Sequence, residues 1–387
     1  MCAWSWRIAL FKVTLRYMSL KSTQSVGTDQ PLKLSRLGII MRPEQGNEQE
    51  IEGVLNPAAV RGPDGNLYLF PRLVGKGNYS RIGIAKVIFD EQGDPVGVER
   101  MGIALEPLED YEKNRDGGGC EDARVTFFEP LKIYIMTYTA FSTNGPRIAL
   151  ARSKDLMHWE RLGLADFAPY KHIGFNDINN KDACIFPETF TSPAGNSAMI
   201  MLHRPLFPGT APEEIMKDPV DRRIRDHHEC IWISYSDLPA DGIEMTALRE
   251  FESNTPLALP EAPWEKIKIG AGTPPMLTAL GWLLIYHGVH QVHKTAAAPH
   301  HLVYSAGLMV LDKTHPEKIL YRSKAPIMSP DVLGEQDGVV ADVIFPTGID
   351  RRDDIGKPDR FDIYYGMADD CIGVARLDVP EHWPSLV

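Results

Sequence analysis

Five short apolar runs of similar character recur along the chain, and each follows a turn. All five are of strand length and rich in Ile, Leu, Tyr and Met: residues 66–75, 132–141, 196–205, 281–289 and 361–369. Another short run precedes each turn, and a third run follows each hairpin. The pattern predicts five copies of a meander of three or four β-strands, with almost no helical periodicity.

Repetition of this kind limits the possible architectures. The units recur every ~65 to 85 residues, which is longer than the common propeller repeats and predicts long loops. Radial repetition protects sheet edges and leaves a central channel. We therefore expect an all-β chain that forms a five-bladed β-propeller, with the active site at one end of the central channel. A β-sandwich is the competing architecture.

Polar residues recur at one position of the repeat. The first strand of a propeller blade lines the axis, and the five first runs start at Asn56, Glu121–Asp122, Lys181–Asp182, Thr273 and Asp342. The second runs carry Arg72, His203–Arg204, Tyr286–His287 and Asp369. Asn and Asp are also common before strands, but that explains neither Glu121 nor Lys181. A pocket with carboxylates, cations and aromatic hydroxyls suits a carbohydrate.

Composition narrows the class of protein. The chain has 387 residues, 43% of them hydrophobic, so a large core is expected. Its net charge is -11, so nucleic acid is not an expected partner. Its five cysteines are odd in number and form no C-x-x-C pair. This pattern favours a reduced, cytoplasmic setting in which Cys120 and Cys184 are small buried residues.

The start of the chain differs from the rest. Arg7, Lys12, Arg16 and Lys21 interrupt its apolar residues, too often for a membrane span, and no acid precedes Asp29. We expect residues 1–35 to be an extension, either a disordered arm or the product of an upstream start codon; a transit-like peptide is the alternative. Residues 36–387 then form a single catalytic propeller domain, with no expected membrane contact.

Several segments together carry a family resemblance. They include "NPAAV", "GCEDARVT", "NKDACIFPE", "MLHRP", "GTPPMLTALGWLLIYHGV", "VIFPTG" and "YYGMADD", in order from about residue 50 to the C-terminus. The chain resembles glycoside hydrolase family 130, which comprises β-mannoside phosphorylases and related β-mannosidases. The resemblance implies a five-bladed propeller, which agrees with the repeat count.

The resemblance also implies roles for single residues. The family's Glu-Asp-Pro-Arg motif stands here as Glu-Asp-Ala-Arg, so Asp122 is the expected general acid, acting through a sugar hydroxyl. The expected phosphate-binding residues are Lys181, His203 and Arg204, although Arg204 could instead be a structural ion-pair partner. The expected sugar-binding residues are Asn56, Arg72, Glu121, Tyr286, His287 and Asp369; His287 could equally be a packed channel residue.

The expected reaction is inverting phosphorolysis of β-mannosides, which gives α-D-mannose 1-phosphate and a shortened acceptor sugar. Retained cations favour phosphate, whereas a hydrolase needs a second carboxylate as general base. An inverting β-mannosidase and a non-catalytic sugar-binding propeller are the alternatives. Phosphate is a co-substrate, and we expect no cofactor and no metal, since the histidine-rich segment 287–301 is better explained as a surface loop. A homo-oligomer is possible, and the linkage cleaved stays open.

Overall fold

The computed structural model describes residues 23–25, 32–171, 174–207, 229–239, 245–292 and 301–380. Most of the predicted N-terminal extension, and most of the histidine-rich segment, lie outside these residues. The first two strands are β1 (Thr23–Ser25) and β2 (Lys33–Met41). β2 begins three residues before the predicted domain start at residue 36 and belongs to the last blade.

Blades 1 and 2 are antiparallel four-stranded meanders. Blade 1 comprises β3 (Gly53–Arg61), β4 (Leu67–Gly75), β5 (Tyr79–Phe89) and β6 (Pro95–Leu105). Blade 2 comprises β7 (Gly118–Phe128), β8 (Ile133–Ser142), β9 (Gly145–Ser153) and β10 (Glu160–Leu164). A short parallel pairing between β5 and β7 joins the two blades into one sheet.

Blades 3 and 4 repeat this plan with extra short strands. After β11 (Asp166–Phe167), blade 3 comprises β12 (Asn180–Ile185), β13 (Phe190–Thr191), β14 (Ser197–Pro205), β15 (Ile231–Asp237), β16 (Glu250–Phe251, paired with β11) and β17 (Ser253–Ala258). Blade 4 comprises β18 (Lys268–Ala271), β19 (Met276–Leu277), β20 (Trp282–Val292), β21 (His301–Leu311) and β22 (Ile319–Arg322).

Blade 5 is completed by the other end of the chain. It comprises β23 (Ile344–Arg352), β24 (Lys357–Met367) and β25 (Cys371–Asp378), and β2 pairs with β25 as its fourth strand. Helical segments in the described residues are short: one α-helix, Leu333–Gln336, and 3-10 turns at Asp110–Glu112, Met245–Arg249, Pro263–Glu265 and Asp353–Ile355. No helix of this part of the chain has the length and apolar character to span a bilayer.

The blades form a closed ring with one apolar core between each adjacent pair. β23 packs on β3, β3 on β7, β7 on β12 and β12 on β18, while blade 4 contacts β23 through β20 and β21. Five clusters of buried side chains fill the five interfaces between blades. Blade strands are therefore covered on both faces, which explains their nearly continuous apolar runs. The prediction of an all-β, five-bladed propeller is confirmed.

A shared bulge turns polar side chains towards the channel. The pairing of first and second strands shifts between residues 55 and 58, 121 and 124, and 181 and 184. Within these bulges Asn56, Asp122 and Asp182 have left-handed backbones, with φ of 46°, 48° and 56°. Asn and Asp tolerate this conformation better than other residues with a Cβ. The recurrence of Asn and Asp at these strand starts therefore has a backbone cause.

The glycines before Asp122 form a close contact between blades. Gly118 and Gly119 pair in parallel with Tyr79 and Ser80, at φ values of 98° and 114°. A Cβ on Gly119 would overlap the Ser80 carbonyl oxygen. The start of β7 can therefore lie against β5 only because these positions are glycine.

Three blades repeat one buried hydrogen-bonded triad. A tyrosine hydroxyl on the second strand donates to a buried glutamate from the turn before the first strand, and that glutamate pairs with an arginine on the fourth strand. The triads are Tyr138–Glu112–Arg161, Tyr286–Glu265–Arg322 and Tyr365–Glu335–Arg36. Each glutamate also accepts backbone N–H groups of its own turn. The triads fix the turns that lead into the channel strands.

The triad in blade 4 corrects one expectation. Tyr286, expected to bind sugar, is fully buried, packs on Trp264, and donates to Glu265 at 2.8 Å. Successive strand residues point to opposite faces, so Tyr286 faces the core between blades 3 and 4 while His287 faces the channel. The structure does not bring Tyr286 into the site.

We predict that Tyr286→Phe destabilises the fold and leaves substrate affinity alone. Glu265 loses one charge-assisted hydrogen bond in a fully buried position, which costs about 1.5–3 kcal/mol. The free energy of unfolding in urea and the KM for the expected β-mannoside substrate measure the two effects. Tyr235→Phe is the control and should lose less, because its hydroxyl donates at 3.2 Å to the half-exposed Glu317. If the variant has an undiminished free energy of unfolding and a raised KM, Tyr286 binds substrate after all.

Candidate active site at one end of the channel

Three blades bring five of the expected residues together. Asn56 donates to Asp122 Oδ1 at 2.8 Å, and Arg72 reaches the same oxygen at 3.4 Å. Arg72 also pairs with Glu121 at 2.8 Å and is held by Ser80. Asp369, in the turn that follows β24, interacts electrostatically with both Arg72 and Asp122. These residues form an acid cluster at the end of the channel where β3 and β7 carry their bulges.

The carboxyl groups of the acid cluster differ in the direction in which their pKa values are shifted. Burial disfavours ionisation of Asp122, but Arg72, Lys181, Arg124 and the Asn56 hydrogen bond outweigh burial and lower its pKa. At Glu121 burial prevails, and the neighbouring Asp122 charge adds to it, so the pKa of Glu121 is raised. Burial raises the pKa of Asp369 to about 6 despite Arg72. Neighbouring acids that differ in this way are typical of sites that handle protons.

A second cluster surrounds Asp182, which sits in the bulge of blade 3. Arg204 Nε donates to Asp182 Oδ2 at 2.5 Å, Arg124 lies 3.7 Å from Oδ1, and His287 Nε2 lies 3.4 Å from Oδ2. Burial opposes ionisation of Asp182, yet Arg204, His287 and Arg124 together lower its pKa strongly. Burial, followed by the nearby arginines, lowers the pKa of His287 to about 3, so its ring is neutral at pH 7. A Cβ on Gly270 would overlap both Asp182 and His287, so glycine permits their approach.

Lys181 lies between the two clusters. Its charge acts on Glu121, Asp122 and Asp369 on one side and on Asp182 on the other. Within the described part of the chain its ammonium makes no hydrogen bond or ion pair, and the side chain is partly exposed. A cation placed among acids without a fixed partner can bind an incoming anion.

Several buried polar atoms beside the channel are unsatisfied. Asn56 Oδ1, Asp182 Oδ1, Thr273 Oγ1 and both ring nitrogens of His287 have no hydrogen-bond partner among the described residues. Such atoms are uncommon in native proteins because each one costs free energy. Their concentration here indicates a surface built to bind a polar ligand.

His203, expected to bind phosphate, lies elsewhere. Its ring is fully buried between Asn180 Oδ1 at 3.1 Å and Ser234 Oγ at 2.7 Å, and it stacks on Phe167 with centroids 4.6 Å apart. Burial lowers the pKa of His203 to about 3, so the ring is neutral and both of its nitrogens are engaged. The structure does not bring His203 to the site, because His203 and Arg204 face opposite sides of β14.

Sequence reasoning gave no site role to Arg124, Asp182, Glu229 and Lys268. Arg124 crosses from blade 2 to blade 4, donates to the carbonyl oxygens of Ala271 and Gly272, and also fixes the Asp122 carbonyl at 2.9 Å. The position of Arg124 in the Glu-Asp-Ala-Arg motif was the sequence signal from which its place at the site could have been predicted. Asp182 was visible among the polar strand starts, but its pairing with Arg204 was not.

A cavity of about 740 Å³ lies at the other end of the inner strands. Its lining includes Arg61, Phe127, Glu188, Met276 and Asp350. None of the residues expected from the sequence lines it, so it is separate from the two charged clusters.

Comparisons with known proteins identify the family of this chain. The model of glycoside hydrolase family 130, described as beta-1,4-mannooligosaccharide phosphorylase, matches residues 33–382. The chain is 30% identical to the 1,2-beta-oligomannan phosphorylase of Thermoanaerobacter sp. over 90% of this chain and 99% of that protein. It is 28% identical to a beta-1,2-mannobiose phosphorylase of the same organism, over 88% of this chain and 94% of that protein.

A solved structure shares the fold. The beta-1,2-mannobiose phosphorylase of Listeria innocua, in complex with beta-1,2-mannobiose, superposes with a TM-score of 0.56 at 24% identity, covering 93% of this chain and 88% of that one. The family match extends over most of the chain, and the propeller, its motifs and the charged channel end agree with it. The chain belongs to glycoside hydrolase family 130.

Proposed function

We propose that this protein catalyses inverting phosphorolysis of β-mannosides. The observation that carries the proposal is the Lys181 ammonium, which lies beside the acid cluster and has no fixed partner among the residues that the structure describes. Family membership and the named activities of the relatives support the same reaction class.

In this reaction an oxygen of phosphate attacks the anomeric carbon from the face opposite the leaving group. The bond between that carbon and the bridging oxygen breaks, and a proton passes to the bridging oxygen. Asp122 is the proposed source of this proton, relayed by a sugar hydroxyl. The products are α-D-mannose 1-phosphate and the shortened acceptor. Asn56, Arg72, Glu121 and Asp369 are the residues proposed to bind the mannosyl hydroxyls.

Bound phosphate can raise the pKa of Asp122. In the protein alone, Arg72 and Lys181 hold the pKa of Asp122 low, which disfavours the protonated form that a general acid needs. A phosphate dianion bound at Lys181 adds negative charge beside Asp122 and offsets part of the Lys181 charge. The pKa of Asp122 then rises. The acid is thus protonated most readily when the nucleophile is in place.

Hydrolysis is less well supported by the same geometry. A water-using enzyme needs a second carboxylate that accepts a proton. Asp182 follows Lys181 in blade 3, the blade next to that of Asp122. Arg204 and Arg124 pair with Asp182 and keep its pKa low. A carboxylate held in this way is a weak base, so Asp182 is poorly suited to activate water.

A cytoplasmic location is proposed on the cysteines. Cys120, Cys184, Cys230 and Cys371 are buried and carry free thiols. Disulfides form in oxidising compartments, and a chain with these unpaired thiols suits a reducing one.

The proposed function predicts strict dependence on phosphate. Incubation of the protein with β-1,2- or β-1,4-mannobiose should yield α-D-mannose 1-phosphate, detected by ³¹P NMR, only when phosphate is added. Release of free mannose at an undiminished rate without phosphate would show that water is the nucleophile. Binding of the sugars with no turnover under either condition would favour a non-catalytic propeller.

Asp122→Asn should remove most of the activity in the same assay. Loss of a general acid lowers kcat by about 10²–10⁴-fold, while Asn is close in shape and keeps the Asn56 contact possible. The KM for phosphate should not rise, since Lys181 stays in place and the substitution removes a negative charge beside it. Turnover at the normal rate would end the assignment of Asp122.

A pH effect on sugar binding follows from Asp369. Its pKa of about 6 means that the carboxylate is ionised above pH 6 and protonated below it. Because the ionised form is the stronger hydrogen-bond acceptor, the KM for the β-mannoside should rise about tenfold as pH falls from 7 to 5. Initial rates across this range measure the effect.

Two variants separate Asp369 from other titrating groups. Asp369→Asn should have a high KM that no longer changes between pH 7 and pH 5. Asp370→Asn, at the next position, should keep the wild-type profile. A wild-type KM that stays flat across this range contradicts the role given to Asp369.

A further inference from the structure

Glu229 reaches into the gap between blades 3 and 4 from a fixed backbone position. Its backbone bridges Leu206, and its carbonyl accepts the N–H of Ile269 at 3.3 Å. The carboxylate contacts the Arg204 guanidinium directly and lies 3.6 Å from Lys268 Nζ. Both cations are mostly buried, with side-chain exposures of 5% and 18%. Glu229 is thus the carboxylate shared by two cations from neighbouring blades.

Among the described residues, the cations around this gap outnumber the acids. Arg124, Arg204 and Lys268 carry three positive charges and Asp182 and Glu229 two negative ones, while Lys181 is shared with the acid cluster. Asp182 already interacts with Arg124 and Arg204. Burial and the repulsion from Arg204 lower the pKa of Lys268, although Tyr304 and Asp182 oppose this shift. The net positive charge of this group attracts an anion.

We propose that Glu229 competes with phosphate for Arg204 and Lys268, and so sets the affinity of the enzyme for phosphate. The inference rests on the proposed function, because it takes phosphate as the anion used at Lys181. Phosphate and carboxylate are both acceptors that bind guanidinium and ammonium groups at the same distances. Whichever of them contacts Arg204 and Lys268 excludes the other.

This arrangement gives Lys268 a role as well. Lys268 stands at the first position of β18, and its ammonium lies 5.5 Å from the centroid of the Tyr304 ring. If Glu229 were only a structural counterion, removing its charge would leave two buried cations repelling each other and would only destabilise the fold. A competitor behaves differently, because removing its charge strengthens the binding of phosphate.

The test is Glu229→Gln, which keeps the side-chain size and removes the charge. Its Kd for inorganic phosphate, from isothermal titration calorimetry, and its KM for phosphate should both fall by about tenfold. The KM for the β-mannoside should not change. Lys268→Met should raise both phosphate constants by about tenfold or more. Glu252→Gln is the matched control, an exposed glutamate of the same blade, and should leave all constants at wild-type values.

Two results would overturn the inference. One is a phosphate Kd in Glu229→Gln that is equal to or weaker than that of the wild type, in a protein whose thermal unfolding shows that it is folded. The other is the absence of phosphate binding to both proteins in the calorimeter. If phosphate binds more tightly to the variant but mannose release does not depend on phosphate, the proposed function fails and the competition by Glu229 stands.

Discussion

The channel depends on one electrostatic constraint: its carboxylates are buried, and each must find positive charge within the channel. Arg72 from blade 1 meets Glu121 and Asp122 of blade 2, and Arg124 from blade 2 reaches Asp182 of blade 3. Breaking such a pair leaves an uncompensated buried charge, which is strongly destabilising. The chemistry of the site and the docking of the blades are therefore coupled.

The rest of the fold makes these pairings possible. Left-handed bulges turn Asn56, Asp122 and Asp182 inwards, and the Tyr–Glu–Arg triads of blades 2, 4 and 5 fix the turns before the inner strands. Apolar cores on both sides of every blade leave little freedom for the strands to shift. The functional groups thus sit on rigid strands rather than on loops, which suits a site that must hold two reactants in register.

The division of charge within the channel separates two tasks. The acid cluster around Asp122 offers carboxylates and one arginine, which suit sugar hydroxyls and proton transfer. The group around Asp182 offers an excess of cations, which suits an anion. Lys181 lies between them and acts electrostatically on both. The position of one lysine therefore links the binding of the nucleophile to the protonation of the acid.

Much of the fold could be predicted from the sequence, because each blade repeats a hairpin of two short apolar strands joined by a turn. Asn56, Arg72, Glu121, Asp122 and Asp369 could be grouped because they recur at fixed points of that repeat. The fourth strand of blade 5 could not be placed, since β2 pairs with a strand more than 300 residues away.

The sides faced by individual residues were harder to predict. Strands that are covered on both faces show nearly continuous apolar runs without alternation, so Tyr286 and His287, or His203 and Arg204, cannot be assigned to core or channel by counting alone. The pairing of Asp182 with Arg204 and Arg124 depends on three strands meeting, which no local pattern records.

The most direct test of this account is a crystal structure of the protein with phosphate and mannose bound. We expect phosphate within hydrogen-bond distance of Lys181 and Arg204, and mannose hydroxyls against Asp369 and Arg72, with the anomeric carbon between phosphate and Asp122. Phosphate bound only away from Lys181 and Arg204, with ordered water facing the anomeric carbon, would contradict it.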